Sequence, residues 1–217
     1  MLGTLRAEVL HTARSLRDLG LVSLAGGTVC ARDRETGLVA ITPSGVDYFE
    51  ITSPDGICVV DLDMRLVDGR YKQSIATDMF TRILKARPDV GAVIHTHSPF
   101  ATAFSCCDEP LPVLTTTHAN IAGGPVPVVV PLHPGAHTGD YLDNIVTTMG
   151  TGYAVNLSHH GPVVAGRDLE HCLAVAITVE DTARIAAIAR RLGGATPLDA
   201  AQTRIAFEYY NTKYGQR

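Results

Sequence analysis

Apolar residues recur every three or four positions at Leu2, Leu5, Val9, Ala13, Leu16 and Leu19, a period that predicts an amphipathic opening helix. Gly20 stands where such a helix should end. A glycine turn at Gly26-Gly27 then feeds a short strand reaching Arg32, and Val39 to Thr42 reads as a second strand closed by Pro43-Ser44-Gly45. Ile57 to Asp61 gives a third, followed by a polar hairpin through Asp63 and Asp68-Gly69. Helical period returns from about Ala76 to Ala86 until Arg87-Pro88-Asp89 breaks it. Gly91 to His97 is a buried strand running into a Ser98-Pro99 stop. Val126 to Val130, Tyr153 to Leu157 and Val163-Val164 are further strands. An apolar-rich helix spans Leu169 to Leu192, ended by Gly193-Gly194. The pattern predicts one α/β domain over residues 1–217, with central strands and helices on the flanks.

Composition agrees with a packed domain: 46% of the 217 residues are hydrophobic and 18% charged, enough apolar surface for a core without staples. A formal charge of −4 leaves no electrostatic footprint for nucleic acid or an acidic membrane. No apolar run approaches the roughly 18 residues of a membrane span. Met1 to Leu19 carries charges throughout and lacks a signal-peptide core. Five cysteines, Cys30, Cys58, Cys106, Cys107 and Cys172, form no framework and no Cys-x-x-Cys pair, which fits a reducing, cytoplasmic setting.

His95 and His97 lie two apart on a predicted strand, so both imidazoles project from one face. His160, in Ser158-His159-His160-Gly161-Pro162, closes another strand. Three neutral imidazoles with a further position open suit catalytic zinc and similar ions. Taken alone, a His-x-His pair reads as two half-buried histidines bonded to backbone, and only context changes that. The glycines, taken alone, likewise read as turn geometry.

That context is a series of segments in fixed order: Gly26-Gly27-Thr28, Ile41-Thr42-Pro43-Ser44-Gly45, Lys72-Gln73-Ser74, Ala86 through His95-Thr96-His97-Ser98, Thr116-Thr117-His118-Ala119-Asn120, and His159-His160-Gly161-Pro162. The series resembles the class II aldolase/adducin family, which includes fuculose-phosphate aldolases and ribulose-phosphate 4-epimerases, and covers about Leu5 to Gln216. The Thr-Thr-His-Ala and His-Gly-Pro blocks and Tyr214-Gly215-Gln216 look closest to the 4-epimerase branch. The resemblance implies a three-layer sandwich with a central, mostly antiparallel sheet. It implies a divalent ion on His95, His97 and His160, with zinc usual and manganese or cobalt as substitutes. It places Gly27, Thr28, Thr42, Ser44, Gly45 and Ser74 around a substrate phosphate, which glycine-turn N–H groups and hydroxyls would suit. It also implies a homotetramer with sites at subunit interfaces and the terminal tyrosine supplied by the neighbour.

The remaining histidines read differently. His159 matches a family position usually held by Asn or Ser and is not expected to bind metal, while His118 could line the site or cap a loop. His133 and His137 read as solvated, and His11 and His171 as ordinary helix residues.

The departures bear on chemistry. Thr28 replaces the family's phosphate-contacting Asn, and Ile75 replaces the second serine of its Pro-Ser-Ser segment. Ala76 stands where the family has Glu or Asp, and Asn120 where the epimerases have Asp; neither can carry a proton near neutral pH. Asp78 lies two positions beyond Ala76, and on a helix an i+2 neighbour faces elsewhere. Tyr214 is the first candidate proton donor, with Tyr209 and Tyr210 behind it. The expected activity is a metal-dependent carbon–carbon lyase, or 4-epimerase, on a small ketose phosphate through a metal-held enediolate. A decarboxylase of a sugar-acid or aromatic acid is the alternative, because it needs no carboxylate base. A non-catalytic adducin-like protein is the other, against which retention of three histidines argues.

Overall fold

A computed structural model describes residues 1–131 and 138–215; His133 and His137 lie outside the described residues. In chain order the helices are α1 (Gly3–Asp18), α2 (Thr77–Ala86), α3 (Pro99–Ser105), α4 (Thr116–Ala122), α5 (Gly139–Met149), α6 (Leu169–Arg191) and α7 (Ala200–Lys213). The strands are β1 (Thr28–Arg32), β2 (Val39–Ile41), β3 (Cys58–Val60), β4 (Leu66–Asp68), β5 (Ala92–His95), β6 (Val128–Val129), β7 (Ala154–Leu157) and β8 (Gly161–Gly166). They form one eight-stranded sheet in the order β4-β3-β2-β1-β5-β8-β7-β6. All pairs are antiparallel except β6 with β7, where α5 carries the chain across before β7 enters in the same direction. None of the described helices is long and apolar enough to cross a membrane.

Side-chain alternation along the strands divides the core. Ala92 and Ile94 of β5 join the cluster under α1, α3 and α6, while Val93 joins the opposite cluster under α2 and α5. α4 packs on α6, and α7 covers α4. The three-layer α/β architecture expected from the sequence is what forms.

Four helices, α3, α4, α5 and α7, lie outside the segments that the apolar pattern predicted as helical. Ser98-Pro99, read as a strand stop, is also a helix start: Ser98 is the N-cap of α3 and Pro99 occupies its first turn. Ser98 makes no capping bond with its side chain. Glu180, on α6, does that work instead. Its buried carboxylate accepts from the Phe100 N–H at 3.0 Å and the Ala101 N–H at 2.9 Å. Because α3 begins two residues after His97, this bond also fixes where the chain goes on leaving β5.

Removing the carboxylate strands two helix-terminal donors in the interior. Glu180→Ala is expected to cost about 3 kcal/mol of unfolding free energy, and Glu180→Gln about half that, because one acceptor remains. Urea denaturation monitored by circular dichroism measures both, and wild-type midpoints for the two variants would refute the anchoring.

Candidate metal centre

His95 is the last residue of β5, and its pairing with Val163 of β8 places the β7–β8 turn directly beside it. Thr96 continues the ladder by donating to the Pro162 carbonyl at 3.1 Å, so His97 emerges on the same side as His95. His160 lies in the turn itself. Gly161 makes the approach possible: with φ +142°, a Cβ there would sit 2.4 Å from the Thr96 carbonyl oxygen. Gly27 is similarly confined, because a Cβ on it would meet the His95 carbonyl at 2.8 Å.

The three imidazoles converge. His95 Nε2 is 3.0 Å from His97 Nε2 and 3.3 Å from His160 Nε2, and the three residues' potential ligand atoms all lie within 4.8 Å of one another. A tetrahedral ion with metal–nitrogen bonds of 2.0–2.1 Å requires nitrogen pairs about 3.3 Å apart, so the set fits one small divalent cation. His95 Nδ1 faces the Pro162 carbonyl at 3.0 Å. A carbonyl only accepts, so that nitrogen carries the proton and Nε2 presents its lone pair to the centre. Burial lowers the His97 pKa and so favours the neutral ring that a ligand needs. His159, exposed and in left-handed conformation at φ 56°, is outside the set. Among the described residues no other His, Cys, Asp and Glu group could hold an ion.

The histidines line a cavity of ≈ 530 Å³, a size that suits a small metabolite. Gly26, Gly27, Thr28, Ser44, Gly45 and Ser74 also line it. The Thr28 and Ser74 hydroxyls are 2.8 Å apart, and Ser74 Oγ accepts from the Ala76 N–H at 3.2 Å. Ser44 offers its exposed hydroxyl, but its backbone N–H is spent on the Lys72 carbonyl at 2.9 Å. Thr42 is not among the lining residues. It is fully buried, and its hydroxyl accepts from the Val29 N–H at 3.2 Å. No Lys or Arg among the described residues lines the cavity.

Asp78 differs from the sequence expectation, for it lines the cavity together with Ala76. Ala76 is the N-cap of α2 and Asp78 lies in its first turn, and at this end of the helix the cavity reaches both side chains. Met79, Leu142 and Leu157 complete the apolar wall. None had a motif; they meet only through the packing of α2 and α5 on the sheet.

Asn120 and Tyr214 do not line this cavity within the chain. They belong to the α4–α7 layer, where Asn211 donates to the Asn120 carbonyl at 3.2 Å and Tyr214, 57% exposed, stacks on Tyr210. His118 caps a loop: fully buried, it donates from Nε2 to the Gly124 carbonyl at 2.9 Å. Burial pushes its pKa down to about 4, only partly opposed by that bond.

The end of a central strand thus brings His95 and His97 together with His160 of the adjacent turn, a group that could hold a metal ion. The chain belongs to the Class II Aldolase and Adducin N-terminal domain family, whose sequence model matches residues 7–187. It is 36% identical over 205 residues to the L-ribulose-5-phosphate 4-epimerase UlaF of Salmonella paratyphi A (strain ATCC 9150 / SARB42), covering 90% of each chain. An L-fuculose 1-phosphate aldolase structure superposes with a TM-score of 0.90 at 29% identity, over 97% of this chain and 98% of that one. YgbL of Klebsiella pneumoniae, for which aldolase, epimerase and decarboxylase activities are all left open, matches with a TM-score of 0.80 at 26% identity, over 94% and 97% of the two chains.

Two experiments test the geometry. A Cβ at Gly26 would lie 2.8 Å from the Ser23 carbonyl and 3.1 Å from His97 Nδ1. Gly26→Ala is therefore expected to turn His97 and weaken metal binding about 10–100-fold, read by competition with a chromophoric chelator. For His118, the unfolded ring (about 6.5) binds a proton that the folded one refuses until about 4. Its contribution to stability is complete above about pH 6.5 and is lost as pH falls towards 4. His118→Gln should flatten that limb of the stability profile, and an unchanged slope would contradict it.

Proposed function

We propose that this protein is a metal-dependent carbon–carbon lyase or 4-epimerase acting on a small ketose phosphate, with residues 1–217 acting as one domain. The observation that carries this reading is the convergence of His95, His97 and His160 at a cavity that also holds a glycine turn and three hydroxyl side chains. A divalent ion held by those imidazoles would polarise a ketone and its neighbouring hydroxyl, which is what cleavage of the adjacent carbon–carbon bond needs. We infer that the ion is zinc, which three neutral imidazoles suit.

The chain's own residues would divide the remaining work. Thr28, Ser44 and Ser74 offer hydroxyls to the anionic end of the substrate, and Gly27 and Gly45 let the backbone come close to it. Thr42 supports this loop from beneath through its bond to Val29. The apolar wall of Met79, Leu142 and Leu157 limits water beside the reacting carbons. Asn120 and Tyr214 would orient and protonate the reacting oxygens from a neighbouring subunit, in a homotetramer whose sites lie between chains. Their shared α4–α7 surface, away from the cavity of their own chain, supports that assignment. The composition and the relatives' metabolic activities support a cytoplasmic setting.

Cleavage and epimerisation share the bond-breaking step and differ in whether the aldehyde leaves or re-adds on its other face. A decarboxylase reading draws on Ala76, whose methyl lines the cavity where the family resemblance puts an acid. The test is a substrate screen with metal-loaded protein, following aldehyde release, change of configuration at the fourth carbon, and carbon dioxide release. Turnover of a ketose phosphate is expected, with loss on chelation and return with Zn²⁺. His97→Ala should retain less than about a tenth of the wild-type metal affinity, since even outer-shell changes cost 10–100-fold. Carbon dioxide release without any action on ketose phosphates would replace this reading with the decarboxylase.

A further inference from the structure

We propose that Asp78 is the carbon acid–base of this site, moving the proton on the carbon next to the substrate ketone. The inference rests on the lyase reading above and supplies the proton carrier that Ala76 and Asn120 cannot be.

Asp78 is the one carboxylate among the described residues that line the cavity, and it shares the cavity with all three histidines. A space of ≈ 530 Å³ is small enough for a ligand at the imidazoles to come within reach of the walls. Asp78 sits in the first turn of α2. Its Oδ1 accepts from Arg82 Nε at 2.7 Å, one turn along the same helix. Arg82 is held in turn by Asp143 of α5, with Nη1 2.6 Å from Oδ1. This chain of bonds fixes the carboxylate, and Oδ2 takes no partner among the described residues. The side chain is 38% exposed, so a proton it picks up can exchange with water.

In the bond-forming direction the Asp78 carboxylate takes the C–H proton next to the ketone, and the C–H pair becomes the enediolate. That carbon bonds to the aldehyde carbon, whose C=O pair moves onto oxygen and gains a proton there. The proton lost at carbon is matched by the one gained at oxygen, and nothing is oxidised or reduced. Cleavage is the reverse, with the Asp78 carboxylic acid protonating the enediolate carbon. Epimerisation re-adds the aldehyde before that proton is needed, so Asp78 matters to cleavage and not to inversion.

The half-reaction gives a direct test. Dihydroxyacetone and its phosphate, incubated in D2O with metal-loaded protein, should exchange the proton beside the ketone, followed by NMR. Asp78→Asn should lower that exchange and the kcat of cleavage about 10²–10⁴-fold, the usual weight of a general acid–base group, with KM and bound metal near wild type. Arg82→Met breaks the same ion pair but keeps the carboxylate. An equal loss in both variants would overturn proton transfer in favour of a structural tie. Asp78→Asn exchanging at the wild-type rate also overturns the proposal, as does absence of exchange in wild type, even where epimerisation of a ketose phosphate upholds the broader reading. Exchange confined to unphosphorylated dihydroxyacetone, and lost in Asp78→Asn, would uphold Asp78 and put the phosphate on the aldehyde half of the ketose.

Discussion

The site depends on a single carbonyl. The Pro162 oxygen accepts the Thr96 N–H at 3.1 Å, extending the β5–β8 ladder, and faces His95 Nδ1 at 3.0 Å. A carbonyl has two lone pairs, so one atom can serve both bonds. The register of the sheet and the tautomer of the first imidazole are thereby tied together. A slip of one residue between β5 and β8 would turn His95 to the other face and remove the partner that holds its proton on Nδ1. The neighbouring Gly161 keeps the two strands close enough for this bond, since any side chain there would strike the Thr96 carbonyl.

Support for this centre comes from the side of the sheet that α1, α3 and α6 cover. Tyr48, buried, donates its hydroxyl to the Gly27 carbonyl at 2.8 Å and so ties down the loop that also carries Gly26 and Thr28. Burial raises its pKa to about 12, so it remains a donor at physiological pH. Glu180 reaches from α6 to anchor α3 immediately beyond His97. The histidines therefore project from strand ends and turns, while the groups that hold those ends belong to helices and loops packed behind them. Such backing keeps the three imidazoles converged, with His95 Nε2 and His97 Nε2 3.0 Å apart.

Much of this was legible in the chain because it is periodic. The strand at Ala92–His95 and the helices at Gly3–Asp18 and Leu169–Arg191 bury regular apolar faces, and their patterns announce them. α7 buries only Thr203 among its described side chains, so it has no apolar stripe to read; its legible signal is the Asp199–Gln202 capping box. α4 is a single short helix framed by Thr115 and by Gly123 at φ +71°, signals that also fit a plain turn. At the site, His95, His97 and His160 stand out by residue type and spacing. Thr42 and Ser74 look alike in sequence, yet one is sealed beneath β1 and the other lines the cavity, because burial depends on the layer above and not on the residue. Asp78 was misread for a different reason. Ala76 and Asp78 stand at the start of α2, where the cavity is wide enough to take in both, and spacing along the helix does not report that.

The charge distribution of the cavity has a consequence for what it selects. With no Lys or Arg among its described lining residues, an anionic substrate end would be held by hydroxyls and backbone dipoles alone. Such donors bind anions less strongly than a guanidinium does, and they also pay less when the anion is absent. Ile75, 88% exposed, lines the cavity where the family resemblance places another serine, which removes a further donor. Discrimination for phosphate over a neutral end is therefore weaker here than a site with a cationic clamp would give, and more of the binding falls to the ion and the apolar wall. Asp78 adds a negative charge on the helix side of the same space, so a doubly charged group is better accommodated beside the glycine turn than near α2. On the proposed reading, that asymmetry would orient an elongated substrate with its anionic end at Ser44 and Gly45 and its ketone at the imidazoles before any bond is broken.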